Sequence, residues 1–322
     1  MAQLRRACAG MTLLEILTVI IIFSLLLSFS VMFLRNANRD LGVNASANAV
    51  QSVLRAAHQV ARSNAAPAWV VHNTQSNSVY VLAKETVGEW HLEDGTGAFG
   101  RNATIGGGTP VPGRVGMGVQ LKGSGTIQCG PIPVYDPAQG VAVELWFQRK
   151  RGGRGILLTM GEGAEVVSEG DGRVTVRLGT TNLSSGNARI PVDVWCHLQL
   201  IYSGRDLRLL LNRAPVALVA AKGAWTAAGS LVIGDGKSGF NGIVDEIRLS
   251  VIVPRDAVPL ANECALDFPA GFVVPPDGEV VIAFDGEGRL DPVVHTAPVK
   301  FGIKSPVDRR DVVVGLSGTL LK

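Results

Sequence analysis

Cysteine, aromatic residues and net charge are all scarce in this sequence. Its 322 residues include 4 cysteines and 6% aromatic residues, with a formal net charge of +3. The cysteines contain no C-x-x-C pair, which excludes the usual zinc and thioredoxin spacings. Beyond Cys8, the spacing allows at most one disulfide among Cys129, Cys196 and Cys264, names no pair, and favours a buried thiol for at least one of them. The near-neutral charge disfavours a large nucleic-acid-binding surface.

The sequence contains no pair of residues arranged for general acid and base catalysis. Hydrolysis of a glycosidic bond needs two carboxyl groups about 5.5 Å apart or wider. Asp245 and Glu246 are adjacent, so that on a strand they point to opposite faces, and Glu144 stands alone. The 5 histidines are scattered and form no triad or ligand pattern. We therefore expect a protein that is not an enzyme and needs no cofactor.

The longest apolar stretch lies near the start of the chain, from Gly10 to Leu34. About twenty apolar residues suffice for a helix to cross a bilayer, and Arg5 and Arg6 before the stretch favour a cytoplasmic N-terminus. The stretch holds one carboxylate near its beginning, Glu15, and a charge inside such a run points to a function. These features predict a membrane-spanning helix in which Glu15 makes a specific interaction.

The segment around Glu15 resembles a processing motif. G-M-T-L-L-E, which starts at Gly10, is similar to the G-F-T-L-x-E motif of type IV prepilins and pseudopilins. The resemblance implies cleavage after Gly10, N-methylation of Met11, and pairing of Glu15 with the free amine of a neighbouring subunit during filament assembly. It also implies a single-pass protein of the bacterial inner membrane with most of the chain in the periplasm. The implied partners are other pseudopilins or pilins, the prepilin peptidase and the inner-membrane assembly platform.

Residues on both sides of the central region resemble a pilin head. Apolar residues recur at helical spacing from Arg35 to about Asn64, and Leu54–Arg62 is similar to the head entry of H-type minor pseudopilins. Short β-type runs follow up to residue 85 and return after residue 252. Each group alone is too small to bury a core, so we expect one pilin-like head interrupted by an inserted domain.

The central region has glycine-rich turns between short β-type runs, which favours a sandwich or barrel. Its motifs resemble those of concanavalin A-like, laminin-G-like jelly rolls. F-N-G-I-V-D-E-I-R-L-S, Phe240 to Ser250, is similar to the closing strand of that family, and Val141 to Phe147 alternates as a core strand does. The sequence departs from the family at Asn212-Arg213, where Asp-Gly is usual at a hairpin turn, although Asn tolerates the positive φ required there.

The jelly-roll resemblance leaves the ligand of this region open. Calcium or a glycan could bind at the rim of the sandwich, with the loop acids Asp94, Asp171 and Asp235 as candidate metal ligands. The alternative is that these acids are solvated turn residues. Trp146 and Trp195 fall within predicted strands and are expected in the core.

These patterns predict the fold class and the domain organisation. The fold class is mainly β with one long N-terminal α-helix, in which a pilin-like α+β head is interrupted by a β-sandwich. The predicted segments are a leader (1–10), a transmembrane helix half (11–34), an amphipathic helix half with the first head strands (35–85), the jelly-roll insertion (86–252) and the remaining head strands (253–322).

The resulting hypothesis is a minor pseudopilin, a structural subunit of a type II secretion or related pilus-like filament. Its inserted sandwich would bind a protein, such as a secreted substrate, or a glycan. The alternative is a minor pilin for DNA uptake, whose binding through phosphates would fall steeply with salt. The candidate DNA contacts are the basic residues Lys300, Lys304, Arg309 and Arg310. The acids Asp308 and Asp311 among these bases disfavour nucleic acid as a partner.

Overall fold

A computed structural model of the chain describes residues 13–93, 103–131, 140–161, 163–221, 230–237, 239–268, 279–306 and 308–321. Side chains are described in these ranges except at residues 13–15, 31–41 and 131.

The described residues form the helix α1 and the strands β1 to β21. The helix α1 runs over Leu13–Asn64. The strands, in chain order, are β1 (Ala68–Asn73), β2 (Ser78–Trp90), β3 (Ala103–Gly106), β4 (Thr109–Pro112), β5 (Met117–Leu121), β6 (Thr126–Pro131), β7 (Val141–Arg149), β8 (Gly155–Met160), β9 (Ala164–Ser168), β10 (Val174–Leu178), β11 (Thr181–Ser184), β12 (Trp195–Tyr202), β13 (Asp206–Leu211), β14 (Ala214–Ala220), β15 (Ser230–Ile233), β16 (Gly242–Pro259), β17 (Ala265–Asp267), β18 (Glu279–Phe284), β19 (Val299–Lys304), β20 (Arg309–Val314) and β21 (Leu320–Leu321).

The strands are arranged in three antiparallel sheets. The large sheet has the order β14-β13-β12-β7-β16-β2-β1-β18, with β5 beside β16 and β4 beside β5. The second sheet has the order β11-β10-β9-β8-β15-β6-β3, and the third has the order β17-β19-β20-β21. The large and second sheets enclose the main core, to which β7 contributes Val143, Leu145 and Phe147. These alternate residues share one face of β7, as the pattern of this strand predicts.

The second half of α1 packs against a separate core. Val50, Val53, Leu54 and Ala57 of the helix are buried together with residues of β1, β2, β18 and the third sheet, such as Phe301 of β19. Alanine at positions 57 and 61 lets the helix approach the strands closely, since both side chains are fully buried. This core therefore joins segments from both ends of the chain.

The predicted fold class, with a pilin-like head that an inserted sandwich interrupts, is contradicted by the sheet pairing. β2 and β16 pair with each other from Trp90↔Ile247 to Ser78↔Pro259. The same two strands thus serve the jelly-roll core at one end and the α1 core at the other. The predicted borders at residues 86 and 252 fall inside β2 and β16. Of the strands that pack against α1, β1, β2, β16 and β18 belong to the jelly-roll sheet, while β19 and β20 belong to the third sheet. The strands next to α1 therefore do not form a separate head, and the resemblance to pseudopilins has no support from this fold.

The first part of α1 exposes its apolar side chains. Of this part, the structure describes the side chains of residues 16–30, where the large apolar side chains are between 47% and 68% exposed. Within the residues that the structure describes, no helix is both long and apolar enough to span a membrane. This finding contradicts the prediction of a single-pass inner-membrane protein with its transmembrane segment at 11–34.

Two local expectations are confirmed. Asn212 and Arg213, which join β13 to β14, have φ values of 51° and 68°, as a tight hairpin turn requires. Cys129, Cys196 and Cys264 are all buried free thiols. Burial raises the pKa of the Cys129 thiol to about 12 and that of Cys196 to about 11, so that both stay protonated and unreactive at neutral pH. Cys8 lies outside the described residues.

Candidate binding face of the jelly roll

Three ionisable side chains of the large sheet meet on the face that points away from the main core. Lys84 of β2 donates a hydrogen bond from Nζ to Oε1 of Glu144 on β7. Nε2 of His197 on β12 lies 3.5 Å from Oε2 of the same carboxylate. The side chains of Lys84 and Glu144 are only 5% and 6% exposed. Because β16 lies between β2 and β7, this ion pair reaches across a whole strand.

These partners determine the protonation of Glu144. Burial by itself raises the pKa of this carboxyl, but hydrogen bonds from His197 and Lys84 and the charge of Lys84 outweigh burial and lower the pKa to about 2. Glu144 is therefore ionised at neutral pH and is a poor proton donor. The sequence shows no partner near Glu144, because Lys84 and His197 come from distant strands.

Trp146 lies directly opposite His197 in the pairing of β7 with β12. The two rings stack with their centroids 4.9 Å apart and an interplanar angle of 24°. The guanidinium carbon of Arg114, an exposed residue, lies 4.8 Å from the Trp146 ring centroid, where a cation is attracted to the ring. Trp195 pairs with Gln148 and shares this face, since it lies two positions from His197. We call these residues, Arg114, Trp146, Gln148, Trp195 and His197, the Trp146 face.

The expectation that Trp146 and Trp195 lie in the core is wrong. Both side chains are half-buried, and the main core contains Trp90 instead, which is fully buried. The reason is the alternation of β7: with Leu145 and Phe147 in the core, Trp146 must point to the opposite face.

Asp245 positions Arg114. This aspartate is fully buried, and its Oδ2 accepts hydrogen bonds from the backbone N–H groups of Arg114 at 2.7 Å and Val115 at 2.9 Å. Burial raises the pKa of Asp245 above its ordinary value, while these backbone hydrogen bonds oppose the shift. A Cβ atom at Gly113 would lie 2.6 Å from the same oxygen, so the turn needs glycine there. The aspartate thus holds the turn that carries Arg114 over Trp146.

A second cluster lies where the end of β2 pairs with β16. Glu246 has a φ of 49° and lies in a bulge of β16 between Asp245 and Arg248. Its carboxylate oxygens are 2.9 and 3.0 Å from Nδ1 of His91, and the hydrogen bond with Glu246 raises the pKa of His91. Nε of Arg248 donates to Oε1 of Glu89 at 3.0 Å. The atoms of Glu89, His91 and Glu246 that can coordinate a metal ion, a ring nitrogen and two carboxylate oxygens, lie within 4.8 Å of one another.

The predicted calcium ligands are not brought together in the described part of the chain. Asp171 pairs with Arg173 at 2.8 Å. The backbone hydrogen bond from Arg173, followed by the side chains of Arg173 and Arg189, lowers the pKa of its carboxyl. Oδ1 of Asp235 accepts the backbone N–H of Lys237 at 2.9 Å within its own turn. Asp94 lies outside the described residues. Among the described residues, neither Asp171 nor Asp235 belongs to a group of three ligand-type side chains.

The predicted DNA contacts are paired with acids. Nζ of Lys300 lies 2.9 Å from Asp311, and Arg309 bonds both Asp311 at 2.8 Å and Asp267 at 2.7 Å. Arg310 lies 3.9 Å from Asp308, while Lys304 is exposed at the end of β19. Carboxylates this close reduce the positive potential that a phosphate backbone needs.

The predicted processing and assembly residues are largely beyond the described chain. Gly10 and Met11 lie outside the described residues. Glu15 lies within α1, and its side chain is not among those described.

Comparison with known families identifies the fold of the central region. Residues 121–253 match the sequence profile of the concanavalin A-like lectin/glucanases superfamily. This part of the chain is therefore a concanavalin A-like, laminin-G-like jelly-roll domain, as its motifs predicted. No curated protein matches the chain.

Solved structures of low identity resemble part of this chain. Domain 4 of an extracellular arabinanase from Geobacillus stearothermophilus is 16% identical, with 53% of this chain and 95% of that chain covered and a TM-score of 0.44. The binding domain of Paraclostridial Mosquitocidal Protein 1 is 12% identical, with 53% and 50% covered and a TM-score of 0.44. Trypanosoma rangeli sialidase is 14% identical, with 51% and 30% covered and a TM-score of 0.41. This chain spans half or less of the latter two proteins, and the likeness concerns the fold alone.

Proposed function

We propose that this protein is a binding subunit whose jelly roll holds a carbohydrate ligand on the Trp146 face. The observation that carries this proposal is the pair of half-buried tryptophans, Trp146 and Trp195, on the outward side of the large sheet. Aromatic rings offer a large rigid apolar surface, on which the C–H face of a sugar ring can stack. On Trp146 the sugar would take the place of the exposed Arg114 guanidinium, since His197 stacks on the same ring. Ligand sites typically combine rings of this kind with a few placed polar groups.

The polar groups beside the tryptophans support a hydroxyl-rich ligand. Arg114 and Gln148 bring N–H donors to the same face. Within the described residues, Nδ1 of His197 and Oε1 of Gln199 are buried without a hydrogen-bond partner. Gln199 lies opposite Glu144 and is only 2% exposed, so an unsatisfied oxygen there is costly. Because both atoms are buried, a ligand hydroxyl would reach them only after the neighbouring side chains move.

We propose binding without catalysis. Glu144 is held ionised by Lys84, with its pKa lowered to about 2 against the effect of burial, and Oδ2 of Asp245 is occupied by two backbone N–H groups. An ionised Glu144 cannot donate a proton to a leaving group, and Asp245 is fully buried and so cannot reach one. Incubation of the full chain with the bound oligosaccharide should leave the sugar intact, and release of shorter products would contradict this part of the proposal.

The test is binding of the full chain to immobilised oligosaccharides. We expect Trp146→Ala to remove binding and Trp146→Phe to retain part of it, since a ring remains. Phe268→Ala is the matched control, because Phe268 is a half-buried aromatic residue that contacts Phe301 in the α1 core, with ring centroids 5.3 Å apart. Equal binding by the Trp146→Ala variant and the control would contradict the proposal.

A second candidate function concerns α1. We propose that copies of this helix pack against one another, as in pilin-like filaments, with Glu15 setting the register. The exposed apolar side chains between Ile16 and Phe29 support it, because contiguous exposed apolar surface marks interaction sites. Glu15→Val should impair incorporation into assemblies that cross-linking detects in cells, and Gly10→Val should block removal of the leader. Unchanged cross-linking of the first variant or unchanged migration of the second on a gel would contradict this candidate.

A further inference from the structure

We propose that Glu89, His91 and Glu246 form a binding site for a divalent transition-metal ion such as Zn²⁺. The site goes beyond the carbohydrate-binding proposal and does not depend on it. Glu89 lies near the end of β2, and His91 directly follows the last residue of that strand. Glu246 reaches the same place from β16, because Arg248 pairs with Glu89 and Ile247 with Trp90.

The donor atoms have the chemistry that such an ion requires. Zn²⁺ is bound by imidazole nitrogen at about 2.0–2.1 Å and by carboxylate oxygen at about 2.0–2.2 Å, whereas Ca²⁺ takes six to eight oxygen ligands. One imidazole and two carboxylates therefore fit zinc-type ions and are too few for calcium. Three protein ligands leave a fourth position for water or another ligand.

The separations are compatible with a shared ion. Nδ1 of His91 lies 2.9 Å from Oε1 of Glu246, and the three ligand atoms lie within 4.8 Å of one another. Two bonds of about 2.1 Å at a tetrahedral angle place the ligand atoms roughly 3.4 Å apart, so the closest pair must open by about half an ångström and the widest must close by up to about 1.4 Å. They have room to do so, since the His91 side chain is 51% exposed and that of Glu246 is 19% exposed.

Charge also favours a cation here. Two ionised glutamates and the guanidinium of Arg248 give a net charge of −1 when His91 is neutral, from −2 and +1. Arg248 bonds Glu89 and so competes with a metal ion for that carboxylate. Because Arg248 and the metal ion compete for Glu89, removal of the Arg248 charge should strengthen metal binding.

The experiment is titration of the metal-free full chain with Zn²⁺ by isothermal calorimetry, and with Co²⁺ by visible absorption. We expect one Zn²⁺ per chain. His91→Gln, Glu89→Gln and Glu246→Gln should each weaken binding by about tenfold or more, while Arg248→Gln should tighten it. Glu85→Gln is the matched control, because Glu85 is an exposed glutamate on β2 that pairs with Arg255 instead, and it should bind as the wild type does. Circular dichroism checks that every variant is folded.

Several results would overturn the proposal. One is the absence of Zn²⁺ binding by the wild type. Another is binding that persists unchanged in His91→Gln and Glu246→Gln, which would place the ion elsewhere. Tighter binding of Ca²⁺ than of Zn²⁺ would contradict the assignment of the site to a transition-metal ion. Weaker Zn²⁺ binding by folded Arg248→Gln would contradict the inference that Arg248 competes with the metal ion for Glu89.

Discussion

Lys84 and Glu144 form a buried ion pair across β16, with neither side chain more than 6% exposed. The two residues are 60 positions apart in the sequence, and His197 completes the group from a third strand. Removal of one partner from such a pair leaves an uncompensated charge in a poorly solvated place, whereas removal of both leaves none.

We expect Glu144→Gln to lower the free energy of unfolding by roughly 3–5 kcal/mol, because it leaves the Lys84 ammonium buried without a counter-charge. The double variant Lys84→Met with Glu144→Leu should recover most of this loss. Urea unfolding at pH 7 measures the difference. Glu85→Gln, which removes the exposed pair with Arg255, should change stability by less than about 1 kcal/mol. Equal losses at positions 144 and 85 would contradict this prediction.

The stability conferred by Glu144 should depend on pH in a specific window. The pKa of this carboxyl is about 2 in the folded chain against an ordinary value of 4.5, the combined result of burial, which opposes the change, and of His197 and Lys84. A group whose pKa is lower in the folded state stabilises the fold above its unfolded pKa and loses that effect as pH falls through the folded value. The difference in unfolding free energy between wild type and Glu144→Gln should therefore stay high above pH 4.5 and shrink towards pH 2. Urea unfolding at a series of pH values measures this difference in free energy. A difference that persists unchanged at pH 2 would contradict the lowered pKa of Glu144.

Gly113→Ala should destabilise the protein by roughly 1–3 kcal/mol, since the new methyl group would overpack the turn under Asp245. Its Cβ would lie 2.6 Å from Oδ2 of Asp245 and 2.7 Å from the backbone nitrogen of Gly118. Gly153→Ala is the control, because no atom lies within 4 Å of a Cβ there. Thermal unfolding compares the two variants. A similar melting temperature for both would show that the turn can shift without loss.

Arg213→Gly should stabilise the protein by roughly 0.5–1 kcal/mol. Arg213 has a φ of 68° in the turn between β13 and β14, a conformation that glycine adopts without the clash of a Cβ. Ala214→Gly, one residue further in the strand, should instead lower stability, since glycine has more conformational freedom to lose there. Chemical denaturation of both variants tests the prediction, and a loss of stability in Arg213→Gly would contradict it.

The jelly roll was predictable from the sequence because its signals are local. Alternation in β7 and the motif from Phe240 to Ser250 each describe one strand with its own turn. The same alternation, followed strictly, also places Trp146 and Glu144 on the outward face, opposite Val143 and Leu145. The outward position of Trp146 therefore follows from the alternation, and the prediction of a core tryptophan was wrong because it rested on the residue type alone.

The candidate sites were not predictable in the same way, because each joins distant segments. Arg114 reaches Trp146 only through Asp245, a residue 131 positions away along the chain. His91 contacts Glu246, which lies 155 positions later in the sequence. Spacing along the sequence does not show which distant residues come into contact, because strand pairing determines those contacts. The same applies to the strands predicted for a pilin-like head: the strands were recognisable, whereas the pairing that places β1, β2 and β18 in the jelly-roll sheet was not.

The continuity of β2 and β16 implies that, among the described residues, no linker separates the main core from the α1 core. Strands of 13 and 18 residues run through both, so a tilt of α1 relative to the jelly roll would have to bend two paired strands rather than open a linker. The two cores should consequently melt together in one transition. A force applied to α1 would therefore act along two paired strands that run from the α1 core into the sheet that carries the Trp146 face.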